Sequence, residues 1–196
     1  METKYKQLDI DDVLLDYDKT KPLQGILIIN GTGGVGKNEF VRILSTLIPL
    51  AHESVVDPIK KIAKYAGWNG EKDEASRTLL YEFKKALDTY NDYTWNYFLE
   101  LTKKYHNKSG SFLLCVDMRE HDQIERAKKE FGAKTVLVLR NSVTPITSNA
   151  ADADVFNTSY DYIIDNNGDI EDLKMEAIRL LTKLQKGVTD RYGDIV

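Results

Sequence analysis

The segment from Gly25 to Leu47 constrains the fold more than any other part of the chain. It runs GILIIN, GTGGVGK, NEFVRILSTL, which is an apolar stretch, a glycine-rich turn and a segment of helical periodicity in direct succession. That order predicts a strand, a loop and a helix. Gly31, Gly36 and Lys37 fit the first seven positions of the pattern G-x-x-x-x-G-K-[ST], and Gly33 and Gly34 give the backbone the freedom to curl around an anion. Such a loop aims backbone N–H groups and a helix N-terminus at a polyphosphate, while the lysine ammonium reaches its β and γ oxygens. The expected ligand is a nucleoside triphosphate. Its candidate binding set is Gly31, Thr32, Gly33, Gly34, Val35, Gly36, Lys37, Asn38 and Glu39. The eighth position holds Asn38 where a hydroxyl residue is usual, so a Mg²⁺ ion there would meet a neutral amide oxygen instead.

Composition excludes several alternatives. A chain of 196 residues, 42% apolar and 30% charged, fits one globular domain with inserted excursions. A net charge of −4 gives no general footprint for nucleic acid or anionic membrane, so a phosphate site must be local. The single cysteine, Cys115, lies in the apolar run FLLCV and is expected to be a buried, inert thiol. The opening METKYKQLDIDD has no apolar leader segment, and no apolar run approaches the roughly 18 residues needed to cross a bilayer. A reducing cytoplasm is the expected location, with no membrane and no nucleic-acid partner. The oligomeric state is left as monomer or homodimer.

Read in order, residues 1–22 form a polar, acidic arm with a short apolar face, expected to dock on the core. Residues 23–196 are expected to be a single domain. After the loop, Phe40, Val41, Ile43, Leu44, Leu47 and Ile48 recur at helical spacing until Pro49. His52 to Val56 reads as a second strand, and Asp57 with Pro58 as an N-cap followed by a first-turn proline. The sequence GWNGEK at 67–72 breaks that helix near Ala66. Residues 73–90 then carry Leu79, Leu80, Phe83, Ala86 and Leu87 on one face, and Tyr93 to Tyr105 makes a further helix whose Trp95, Tyr97, Phe98 and Leu101 pack in a core. The helical excursion 57–107 is long for a crossover, which marks it as a candidate acceptor-binding insertion.

Ser111 to Val116 is continuously apolar, as in a central strand covered on both faces, and delivers Asp117, the position a Walker-B-like Mg²⁺ ligand requires. Glu120 to Phe131 reads as a helix with Ile124, Ala127 and Phe131 inward and Gly132 just past its end, and Lys134 to Leu139 as the next buried strand. The polar segment 141–159 is placed where a lid would be. Tyr160 to Ile164 makes the last strand, and Asp169 caps a helix bearing Ile170, Leu173, Ala177, Leu180, Leu181 and Leu184. His52, His106 and His121 stand apart from one another and from the lone cysteine, which is no metal-binding pattern.

On these residues the chain resembles the P-loop nucleotide kinases, and within them the phage-type deoxynucleoside monophosphate kinases and the animal-type phosphomevalonate kinases. The likeness spans most of 25–184 and rests on GTGGVGK at 31–37, GWNGEKDEASRTLL at 67–80, DMRE at 117–120 and YDYIIDNNGDIEDL at 160–173. It implies a three-layer α/β/α P-loop fold with a parallel sheet, a helical acceptor-binding insertion and a short lid. It also implies ATP and Mg²⁺ as cofactors and small-molecule nucleotides as partners. Carried over residue by residue, the resemblance makes Asp57, Lys72 and Arg77 acceptor contacts, and Lys37, Arg119 and Arg140 the catalytic phosphate contacts. Asn38 and Asp117 then stand on the metal side. The chain departs from the pattern at Asn38 and in segment 141–159, which contains no Arg or Lys.

The resulting expectation is ATP-dependent phosphoryl transfer to a (deoxy)nucleoside monophosphate. Two rivals are a kinase of a non-nucleotide phosphate ester such as phosphomevalonate, and a non-catalytic nucleotide-binding module. A GTPase is disfavoured because N-K-x-D is absent, and a D-x-x-G match from Asp165 to Gly168 follows the last strand, out of place for a switch loop.

Overall fold

The continuous apolar runs become the strands of one parallel sheet. In the computed structural model, residues 17–71, 73–144, 154–156 and 158–187 are described. The strands are β1 (Gln24–Asn30), β2 (Leu50–Ser54), β3 (Phe112–Asp117), β4 (Lys134–Leu139) and β5 (Tyr162–Asp165), in spatial order β2-β3-β1-β4-β5 with every pairing parallel. A parallel sheet needs helical crossovers on its faces, which explains why its central strands show no polar alternation. The helices are α1 (Lys37–Leu47), α2 (Asp57–Tyr65), α3 (Glu74–Asn91), α4 (Tyr93–Tyr105), α5 (His121–Phe131) and α6 (Ile170–Lys186).

Alternation along β1 sends Leu27 and Ile29 to one face and Ile28 to the other. On the first face, Phe40, Val41 and Leu44 of α1 meet Leu173, Ala177 and Leu181 of α6 over Cys115, Val136 and Val138. On the second, Trp95 and Phe98 of α4 join Ile124 and Ala127 of α5 over Leu114 and Val116. This is the three-layer α/β/α arrangement expected. Each of the large aliphatic or aromatic side chains buried here contributes about 1.5–3 kcal/mol relative to exposure. Burial also pushes the Cys115 thiol up to about 12, which makes it the inert core residue anticipated.

Several local expectations are corrected. β2 begins at Leu50 and ends at Ser54, because Val55 turns to donate its N–H to the Asp117 carbonyl at 3.2 Å. Asp57 is consequently the first residue inside α2 rather than its cap; Val56 holds the cap position, and the Asp57 carboxylate accepts from Lys60 Nζ at 2.8 Å. On α3 the apolar face is not a core face. Leu79, Leu80, Phe83 and Leu87 are half-buried and Ala86 is exposed, whereas Ser76 and Lys84 are buried. The reason is placement: α3 packs chiefly on α2 and α4. Phe131 also stays 38% exposed, although its ring lies 5.5 Å edge-on from that of Phe98.

The described end of the N-terminal arm is docked. Tyr17 packs on the α1–α6 core, and Asp18 exchanges backbone hydrogen bonds with the Gln185 side chain. Lys72 and residues 145–153 of the expected lid lie outside the described residues. Among the described residues, no helix is long and apolar enough to cross a membrane.

Candidate functional site

The strand order brings the carboxyl ends of β3, β1, β4 and β5 together, and the loops that leave them form one edge. In open α/β sheets that edge is where ligands bind. The loop after β1 is built by glycine geometry. Gly31, Gly34 and Gly36 have φ of 137°, 90° and 94°, values that side-chain-bearing residues rarely adopt. At Gly31 a Cβ would come within 2.6 Å of the Val138 carbonyl oxygen, so β4 packs directly beneath the loop.

The loop ends on α1, which like α2, α4 and α5 has no side-chain cap, in contrast to α3 and α6. At α6 Asp169 accepts from the Glu171 and Asp172 N–H groups in a reciprocal capping box, and at α3 Asp73 accepts from Ser76. At α1 the cap is Gly36, with no side-chain oxygen on the first-turn amides. Those donors carry the positive end of the helix dipole and are available to an anion. Lys37 Nζ lies across the turn, donating to the Gly31 carbonyl at 2.5 Å and the Thr32 carbonyl at 2.9 Å. A phosphoryl oxygen arriving at the turn would find the ammonium in place. Asn38 is exposed at the first turn of α1, and Glu39 points away to pair with Arg42 at 2.5 Å.

Asp117 sits one strand away. It pairs in register with Ile29 on β1 and with Ser54 on β2, so its backbone lies level with the residue two before Gly31. His52 Nε2 approaches Asp117 Oδ1 to 3.2 Å, yet that oxygen is buried and makes no aligned hydrogen bond. Asp117 raises the His52 pKa, first as the acceptor to which a protonated imidazole donates and then through its charge, against the opposing effect of partial burial, with Asp57 and Glu53 adding to the rise. Asp117 Oδ1 has His52 Nε2 as its near polar neighbour, and a carboxylate and an amide oxygen are both ligands that a hard divalent cation accepts, so Asp117 and Asn38 are chemically suited to Mg²⁺.

The remaining sequence candidates are distributed as follows. Arg119 lies half-buried in the turn after β3 and Arg140 is exposed at the end of β4, both on the loop-bearing edge. Asp57 opens α2 and Arg77 lies half-buried in the first turn of α3, within the insertion.

Four contributors are not identified by the sequence pattern. His52 is one. Lys84, with its side chain 10% exposed, reaches Asp88 at 2.6 Å and Glu120 at 3.1 Å. Burial alone would lower its pKa, but Glu120 and Asp88 outweigh that and raise it. The pairing ties the insertion to the DMRE turn. Asn30 is completely buried, accepts from the Gly31 N–H at 2.8 Å and donates to the Tyr160 hydroxyl at 2.8 Å. Tyr160 in turn donates to the Val155 carbonyl, which connects the loop to the chain that precedes β5. Asn166, just past β5, donates its side-chain amide to the Val35 carbonyl at 2.7 Å. The sequence signal for Asn30 and Asn166 is no more than a polar residue adjoining an apolar run.

No family model matches the chain, and no curated protein matches it either. Solved structures with a similar chain path include the protein TT1252 from Thermus thermophilus, at 15% identity over 85% of this chain and 99% of the other with a TM-score of 0.49. A gluconokinase from Sinorhizobium meliloti is 10% identical over 85% of this chain and 97% of its own, with a TM-score of 0.48. A sugar kinase from Janibacter is 11% identical over 80% and 93%, with a TM-score of 0.45. With identities of 10–15% and TM-scores below 0.5, these likenesses carry no argument about function.

Proposed function

We propose that this chain is an ATP-dependent kinase that transfers the γ-phosphoryl group to the phosphate of a small acceptor, a (deoxy)nucleoside monophosphate. The observation that carries the reading is the juxtaposition of the uncapped, glycine-built loop at 31–37 with Asp117 on the neighbouring parallel strand. Phosphoryl transfer asks for position and charge neutralisation more than for covalent chemistry. The acceptor phosphate oxygen forms the new P–O bond, the bond from the γ phosphorus to the bridging oxygen breaks, and its electron pair leaves on the diphosphate. An acceptor that is already a phosphate anion needs no general base for this.

The loop amides and the α1 N-terminus hold the β and γ phosphates, and Lys37 exchanges carbonyl partners for phosphoryl oxygens. Arg119 and Arg140 supply further positive charge on the same edge. When bound, Mg²⁺ neutralises charge between the β and γ phosphates, and Asn38 and Asp117 are the residues that would hold it. Asp57 and Arg77, in the insertion, face the acceptor in this reading, and Lys72 is assigned to the same side from sequence.

The test is phosphoryl transfer from ATP with Mg²⁺ to a panel of nucleoside monophosphates and phosphorylated non-nucleotides, followed by nucleoside diphosphate release. Arg77→Ala is expected to raise the acceptor KM by about tenfold, the scale of one lost charge-assisted contact, with triphosphate affinity nearly unchanged. Equal losses for both ligands would remove Arg77 from the acceptor side.

One observation favours a second reading, a nucleotide-binding module without transfer: Asp117 already has His52 as a partner, and position 38 lacks a hydroxyl. Asn38→Ser separates the two. A working kinase keeps or gains rate and reaches half-maximal rate at lower Mg²⁺. A binder holds ATP with indifference to Mg²⁺ and transfers to no acceptor, with either residue at 38.

A further inference from the structure

We infer that Asn166 is a positioning residue for the phosphate loop: its side-chain amide sets the Val35–Gly36 peptide so that the Gly36 N–H is presented to the bound phosphate. This rests on the reading of 31–37 as a triphosphate site. The two partners are 131 positions apart in the chain, and Asn166 Nδ2 donates to the Val35 carbonyl at 2.7 Å. In a trans peptide the carbonyl and the following N–H point in opposite directions. Anchoring the Val35 oxygen toward β5 therefore turns the Gly36 N–H away from β5, where it adds to the donors of the α1 N-terminus.

The anchor is itself held rigidly. Asn166 is 7% exposed, and its backbone N–H donates to the Leu139 carbonyl at 2.8 Å, which fixes it against the end of β4. The next residue, Asn167, donates its N–H to Asp165 Oδ1 at 2.9 Å and accepts from the Asn141 N–H at 2.7 Å, so the whole turn is braced. Gly36 is matched to this seat. Its φ of 94° suits glycine, and a Cβ there would collide with the Asn166 amide nitrogen. The last glycine of the motif thus has a second reason to be glycine, one that its own loop does not contain. Nothing in the loop pattern identifies Asn166, because its role is defined by a neighbouring strand end.

The experiment measures binding of two probes, ATP with Mg²⁺ and inorganic tripolyphosphate, to the full chain and to the variants Asn166→Asp and Asn166→Ala. The aspartate variant keeps the shape and removes the donor; the alanine variant removes the donor without adding charge. Both are expected to weaken both probes by about tenfold, the scale of one misdirected charge-assisted hydrogen bond, and to leave the acceptor KM within about twofold. Ligand-free thermal unfolding of each variant reports whether it is folded, and the inference is judged on whichever variant folds. Unchanged affinity for both probes overturns it. So does a loss confined to the aspartate variant, which would be repulsion alone, or a loss confined to ATP, which would place Asn166 on the nucleoside. If the parent chain binds neither probe, the triphosphate reading fails and this inference falls with it. Parent binding with unaffected variants removes only the inference.

Discussion

Replacing Lys37 by alanine is expected to lower the proposed phosphoryl transfer by at least about a hundredfold, because the ammonium would meet charge that develops on the transferring group in a partly desolvated turn. Its present partners, the Gly31 and Thr32 carbonyls, belong to the same loop, so the substitution leaves these contacts to be lost locally rather than in the core. Ligand-free unfolding temperature should stay within a few degrees of the parent, while the ATP dissociation constant measured by calorimetry rises about tenfold or more. Arginine should rescue poorly, since a planar fork does not replace a point charge reaching between the β and γ oxygens. A variant that binds and turns over like the parent would reduce the loop to a structural turn.

Replacing Lys84 by methionine is expected to be the most destabilising of the changes considered. The substitution keeps much of the side-chain length and removes the charge, which leaves Asp88 and Glu120 facing each other with 19% and 25% of their side chains exposed. Breaking a fully buried pair costs about 3–5 kcal/mol; partial solvent access brings the expectation to about 2–3 kcal/mol, a fall in Tm of about 5–10 °C for a chain of this size. Asp88 Oδ2 also accepts from the Thr94 hydroxyl, and Thr94 accepts from Gln123, so the loss spreads across α3, α4 and α5. Because Glu120 holds the cap position of α5 next to Arg119, turnover should fall further than ATP affinity does. Adding Glu120→Gln should recover part of the stability by removing one of the two stranded carboxylates. Denaturant or thermal unfolding measures both effects, and a neutral Lys84→Met would show that the network is solvated rather than buried.

Much of this architecture is legible in the amino-acid order. Apolar runs at 25–29, 113–116 and 136–139 have no polar alternation, the pattern of strands covered on both faces, and they lie in β1, β3 and β4. The aspartate cap at Asp169 and the glycine at Gly132 act within one helical turn, so their signals survive without tertiary context, whereas Asp73, read as the first residue of its helix, is its cap. The loop at 31–37 is readable for the same reason: its chemistry is made by consecutive backbone groups. Short-range patterns mislead where packing overrules them. The Leu79 to Leu87 face of α3 has the periodicity of a core helix, but periodicity says only that a face exists, not what covers it. Asp57 has the composition of a cap, and the hydrogen bond from Val55 to Asp117 moves the helix start to it.

What the tertiary structure decides is which distant residues meet. Strand order, not sequence order, sets Asp117 on the strand between those of His52 and the glycine-rich loop, buries Lys84 against Glu120, and seats Asn166 on the Val35 carbonyl. Each of these contacts joins elements separated by at least one helix, and nothing in the composition of either partner segment names the other. Such pairings depend on how the sheet is assembled, and local propensity carries no information about assembly. The amino-acid order therefore determines the secondary structure around the loop and carries the proposal of a phosphate ligand, while the contacts that brace the loop arise only when the strand ends converge on one edge.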